Sequence, residues 1–186
     1  MNAKRKNEYF SENTYGQATK TILSTVSNVY RQERDWTCSI ACLRTIMSGI
    51  MPDTEIPTED YYVNNTGLTM GPQNSRTLKE LGYLDGLDYK IAFEEKAPTS
   101  NQVGFLLDLM TDYNVMIECM INYAHWIVLL GYIHLGNIEE DRIVYYDPYY
   151  NRVNIIVADE LISMWHDIGS NPLEQDYIAI KKGLVL

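Results

Sequence analysis

Apolar side chains recur at three- and four-residue steps in the first half of the chain and gather into short runs in the second half. From Cys38 onward, Ile40, Leu43, Ile46, Met47 and Ile50 follow the helical step, which predicts one buried helix face ending near Gly49. Pro52 and Pro57 then enforce a loop, and residues 53–71 read as loop-rich, with Tyr61 and Tyr62 as docking side chains. Leu78, Leu81 and Leu84 predict a short helix over 74–84. Val103, Phe105, Leu106, Leu109 and Met110 predict another over 101–113, capped by the hydroxyls of Thr99 and Ser100.

Beyond residue 114 the pattern changes. Runs at 115–121, 126–133, 142–146, 152–157 and 177–181 are apolar or β-branched and separated by turns, as in a mostly antiparallel sheet, with a helix over 158–166 before the last strand. Helices first and strands later define an α+β architecture in which a helix packs on that sheet. Residues 1–22 are polar and aperiodic and read as a flexible N-terminal arm, although Ile22 to Tyr30 is rich enough in β-branched residues for a short extended piece. With 186 residues, the remainder, 23–186, is the size of a single domain.

Fifteen basic against twenty-five acidic residues give a net charge of −10, which argues against binding to nucleic acid or to an anionic membrane surface. The sequence shows neither a long apolar run nor a secretory h-region, so a soluble, cytoplasmic protein is expected. Three cysteines in such a chain read as reduced thiols rather than a disulfide framework.

Chemistry concentrates in Gln32-Glu-Arg-Asp-Trp-Thr-Cys38-Ser-Ile-Ala-Cys42, where a glutamine stands six residues before a cysteine that opens a helix. A thiol attacks as its thiolate, and the positive end of a helix and a neighbouring imidazolium both favour the anion. His125, on a predicted strand, supplies the imidazole, and Asp147 before Pro148 can hold its other nitrogen. The Gln32 amide and the Cys38 backbone N–H are placed to receive a developing oxyanion. Trp36, Ser39, Trp126 and Tyr149 are the candidate substrate contacts. Each residue has a plainer reading: a buried thiol, a core histidine, a turn aspartate, a packing tryptophan, tyrosines against a sheet. Cys42 and Cys119 read as core, and His134 and His166 as surface residues. A zinc site lacks the usual ligand spacings, and no cofactor is expected.

The order Gln32, Cys38, His125, Asp147 is that of papain-like thiol enzymes. Gln32 to Cys42 resembles the Gln-x5-Cys-x3-Cys block of C39 and C39-like cysteine peptidases. His125-Trp-Ile-Val-Leu-Leu-Gly-Tyr132 and Asp147-Pro-Tyr149 resemble their His-x-Val-Val-x-Gly-Tyr and Asp-Pro blocks, and Asp159 to Trp165 resembles the helix that follows. Ile168 to Ile180 with Trp36-x-Cys38 is similar also to the related guanylyl-cyclase-like family, but no paired metal carboxylates or purine-binding signature supports nucleotide cyclisation. The resemblance implies a papain-like fold with Cys38 as nucleophile, His125 as base, Asp147 as orienting acid and Gln32 as oxyanion donor. Two departures are Ser39, where most members have glycine, and the acidic turn at 137–141 that lengthens the path from His125 to Asp147.

The expected activity is hydrolysis of a peptide or isopeptide bond in a peptide or protein substrate through a Cys38 thioester. The alternatives are an acyltransferase using the same thioester and a non-catalytic C39-like peptide-binding module. Oligomeric state is not legible from the sequence.

Overall fold

The computed structural model describes residues 20–51, 55–66, 74–136, 138–166 and 175–183. Its frame is a seven-stranded sheet formed by β1 (Lys20–Leu23), β2 (Tyr89–Ile91), β3 (Tyr113–Ile121), β4 (Tyr123–His134), β5 (Arg142–Asp147), β6 (Arg152–Val157) and β7 (Tyr177–Lys181). The order is β2-β7-β3-β4-β5-β6, and every pairing is antiparallel. Strand β1 pairs with the last four residues of β4, beyond the stretch covered by β3.

Among the described residues five α-helices accompany the sheet: α1 (Cys38–Met47), α2 (Glu59–Thr66), α3 (Ser75–Glu80), α4 (Gln102–Asp112) and α5 (Ala158–His166). Both sheet faces are covered. On one, Ile40, Leu43 and Ile46 of α1 meet Met116, Trp126, Val128, Val144 and Ile178. On the other, Leu106 and Leu109 of α4 and Leu161 and Trp165 of α5 meet Val115, Ile117, Ile127, Leu129 and Ala179. Alternate residues of one strand therefore enter different cores, which is why the strands read as unbroken apolar runs. Each fully buried aliphatic side chain contributes about 1.5–3 kcal/mol, so α1 is anchored firmly by one face.

The segment after β1 runs back along α1. Asn114 of β3 takes the Thr25 N–H on Oδ1 and gives its Nδ2 to Thr25 Oγ1. Ser48 Oγ then accepts the Asn28 N–H, and Thr45 Oγ1 accepts the Tyr30 N–H. Polar side chains of α1, its C-cap and β3 thus satisfy backbone groups of Thr25, Asn28 and Tyr30. Gly49 permits the approach: a Cβ there would lie 2.7 Å from backbone atoms of Thr25 and Val26. The track delivers Gln32 to the N-terminal end of α1.

Several sequence expectations need correction. Residues 59–66 form helix α2 rather than loop; its one fully buried side chain is Glu59, so no apolar period marks it. Strand β2 is only three residues long and has no visible pattern. Helix α4 is not capped by Thr99 or Ser100: its N-cap is Asn101 in the left-handed region (φ 56°), which asparagine tolerates. His134 is half-buried with Nδ1 2.7 Å from Asp141 Oδ1, because Asp141 is buried and gathers the Tyr132 hydroxyl and the Leu135 N–H as well. Residues 1–19 of the expected arm lie outside the described residues, as does the His166 side chain, and Lys20–Leu23 is already strand. Among the described residues no helix is long and apolar enough to cross a membrane.

Candidate active site

Cys38 is the first residue of α1, and the first turn is anchored by Ala41 N–H donating to the Thr37 carbonyl at 3.0 Å. Thr37 occupies the N-cap position, but its side chain makes no cap bond to the helix. The Cys38 side of this helix therefore presents backbone N–H groups and the positive end of the dipole with no side-chain cap across them.

His125 lies near the start of β4 and Asp147 at the end of β5, both about 2 % exposed. Nε2 of His125 is 3.0 Å from Asp147 Oδ1. That same oxygen accepts the N–H groups of Tyr149 at 2.9 Å and Tyr150 at 3.2 Å, so the Asp-Pro turn holds the carboxylate while the carboxylate holds the ring. Burial by itself would raise the Asp147 carboxyl, but the hydrogen bond and charge of His125 and the two amides keep it below the usual carboxylate range. Burial likewise opposes protonation of His125; the bond to Asp147 and the neighbouring Cys38 side chain outweigh it and push the imidazole up to about 9.

Nδ1, the remaining ring nitrogen, is buried and makes no hydrogen bond of normal geometry. Cys38 is close enough to raise the imidazole pKa, although Nδ1 has no hydrogen bond that meets normal geometry. Nucleophile–base contacts of this kind are commonly loose without substrate and close when it binds.

Gln32 is buried. Its Nε2 donates to the Arg34 carbonyl at 2.9 Å, and its backbone N–H donates to the Pro148 carbonyl at 3.2 Å, tying the loop before Cys38 to the turn after Asp147. Its Oε1 has no partner. A cleft of about 360 Å³ opens between this loop and Tyr149 and Tyr150, beside Gln32 rather than over Cys38.

The candidate substrate contacts divide. Tyr149 is 37 % exposed and its ring stands 6.4 Å from that of His125. Trp36 is half-buried under the Arg34 guanidinium, 6.0 Å from its ring centre. Trp126 and Ser39 are buried, 0–1 % exposed: Trp126 packs in the α1 core and Ser39 lies within the first turn of α1.

Sequence reasoning missed Tyr123 and Glu59. Tyr123 is 42 % exposed and packs edge-on to both His125 and Tyr149, extending an aromatic wall beside the imidazole; its position two residues before His125 in a strand was the available signal. Glu59 lies in the region read as loop. All three cysteines are free, and burial drives both Cys42 and Cys119 well above the ordinary thiol range. Among the described residues no cluster of three or more His, Cys, Asp or Glu side chains forms a metal site.

No protein-family model matches the chain, and no curated protein matches it in sequence. Solved structures do match its fold. The peptidase domain of Streptococcus ComA, a bifunctional ABC transporter involved in quorum sensing, superposes with a TM-score of 0.56 at 11 % identity, covering 83 % of this chain and 97 % of that one. UfSP from C. elegans superposes with a TM-score of 0.60 at 14 % identity over 94 % of this chain and 36 % of the longer one. The chain thus has an α+β, papain-like fold, with helix α1 packed on an antiparallel sheet.

Proposed function

We propose that the protein is a cysteine peptidase that cleaves a peptide or isopeptide bond through a thioester on Cys38. The observation that carries this reading is the buried His125–Asp147 pair beside a helix-opening cysteine, with the imidazole held protonated by both neighbours. The fold shared with a peptidase domain supports it.

The Cys38 thiolate attacks the substrate carbonyl carbon, forming the C–S bond and moving charge to oxygen. The Cys38 backbone N–H and the second N–H of Gln32 Nε2 receive that oxyanion, each well-placed donor contributing about 3 kcal/mol. His125 passes its proton to the leaving amine as the C–N bond breaks. Water then attacks the thioester while His125 takes its proton, and the acid leaves with Cys38 restored. Asp147 keeps the ring oriented and offsets its charge in both half-reactions. Tyr123 and Tyr149 form the wall against which an extended substrate lies.

Incubation of the protein with a proteome-derived peptide library, read by mass spectrometry of new termini, tests the reading. New termini that disappear with Cys38→Ala are expected. Identical termini from the two proteins would overturn hydrolysis.

A further inference from the structure

Glu59 has no part in the chemistry above, yet it is 0 % exposed at the start of α2. A carboxylate in such a position is costly unless its oxygens are satisfied. No salt bridge holds it among the described residues. Its Oε2 instead accepts the Glu33 N–H at 2.9 Å and the Thr37 hydroxyl at 2.6 Å, while Oε1 is buried without a partner. Both donors belong to the short loop that joins Gln32 to Cys38.

Hydrogen counting shows what the carboxylate does there. Thr37 has one hydroxyl proton and two acceptors in reach, Glu59 Oε2 and the Arg34 carbonyl at 3.0 Å. The shorter, charge-assisted bond to Glu59 takes it. The Arg34 carbonyl is then left to Gln32 Nε2 and the Thr37 N–H, the two bonds that fix the Gln32 amide and close the turn before the helix. Thr37 is also diverted from capping α1, although threonine is a favoured N-cap.

We propose that Glu59 is a positioning residue for the oxyanion site: through the Glu33 N–H and the Thr37 hydroxyl it fixes the loop that carries the Gln32 amide and the Cys38 N–H, without touching substrate. The proposal rests on the peptidase reading of Cys38 and Gln32.

Two probes separate an oxyanion effect from general damage. With p-nitrophenyl acetate the Cys38 thiolate attacks the acetyl carbon, the C–S bond forms, the C–O bond breaks and p-nitrophenolate leaves, by way of an oxyanion. With iodoacetamide the thiolate displaces iodide at a saturated carbon and no oxyanion forms. Mass spectrometry of Cys38 reads both products, with Cys38→Ala as the blank. Gln32→Ala and Glu59→Gln are each expected to slow acylation about tenfold or more while alkylation stays within about twofold. Thr37→Val should follow Glu59→Gln, and Thr37→Ser should recover the wild-type ratio of the two rates. Thr37→Val and Thr37→Ser decide the matter if Glu59→Gln does not fold.

An unchanged ratio in Glu59→Gln and Thr37→Val, with a lowered ratio in Gln32→Ala, overturns the role of Glu59 and leaves the peptidase reading intact. A parallel loss of both rates also overturns it, marking Glu59 as a general support of the fold. Absence of Cys38 acylation in the wild type defeats the peptidase reading itself, and the positioning role with it.

Discussion

Nε2 of His125 and Oδ1 of Asp147 stand 3.0 Å apart with both side chains 3 % exposed, one at the start of β4 and the other at the end of β5. Two antiparallel strands that pair through Val128 and Tyr146 bring them together across 22 residues of sequence. The acidic turn between the strands lengthens the path without altering the meeting.

The titration of His125 follows from this contact. Its imidazole is expected to titrate near 9 in an NMR pH series. Asp147→Asn and Cys38→Ala should each lower that value, because burial alone depresses an imidazole and only these neighbours raise it. A His125 that titrates at its ordinary value of about 6.5 in the wild type would contradict the arrangement.

Stability should carry the same signature. A His125 pKa raised to about 9 means stabilisation fully present below about 6.5 and lost as pH rises through 9, worth at most about 3 kcal/mol. Asp147, held low, contributes stability above its ordinary range that is lost as pH falls through its depressed value. Urea midpoints measured between pH 6 and 10 should therefore fall more steeply for the wild type than for His125→Ala. Parallel curves would show that the pair is not coupled to folding.

The thiols should differ in kind. Cys42 and Cys119 are 0 % exposed and held protonated by burial, so in the native protein a disulfide reagent should modify Cys38 and spare the other two. In denaturant all three should react. Native modification of Cys42 or Cys119 at a rate matching Cys38 would contradict their placement.

Gly49 is expected to resist substitution. Gly49→Ala puts a methyl group 2.7 Å from the Thr25 and Val26 backbone, and the displaced segment leads directly to Gln32. A loss of about 1–3 kcal/mol in thermal or urea unfolding is expected. Wild-type stability would show that the segment can move aside at little cost.

Much of this architecture was legible because burial writes itself as periodicity. Helix α1, with Ile40, Leu43 and Ile46 on one face, and the strands around Ile117, Val128 and Val144 were readable in that way. The order of Gln32, Cys38, His125 and Asp147 pointed to one candidate site, and the structure brings His125 and Asp147 into contact. What escaped was polar or short. Helix α2 buries a glutamate rather than an apolar stripe, β2 is three residues long, and Ser48, Thr45 and Asn114 guide the Gln32 segment through hydrogen bonds that leave no pattern in sequence.

The central claim is that His125 activates Cys38, and alkylation by iodoacetamide at pH 6, read cysteine by cysteine in the wild type and in His125→Ala, tests it most directly. Cys38 should be the fastest-reacting thiol in the wild type, and its rate should drop by about tenfold or more without the imidazole. Equal rates in the two proteins, or an inert Cys38 in both, would contradict it.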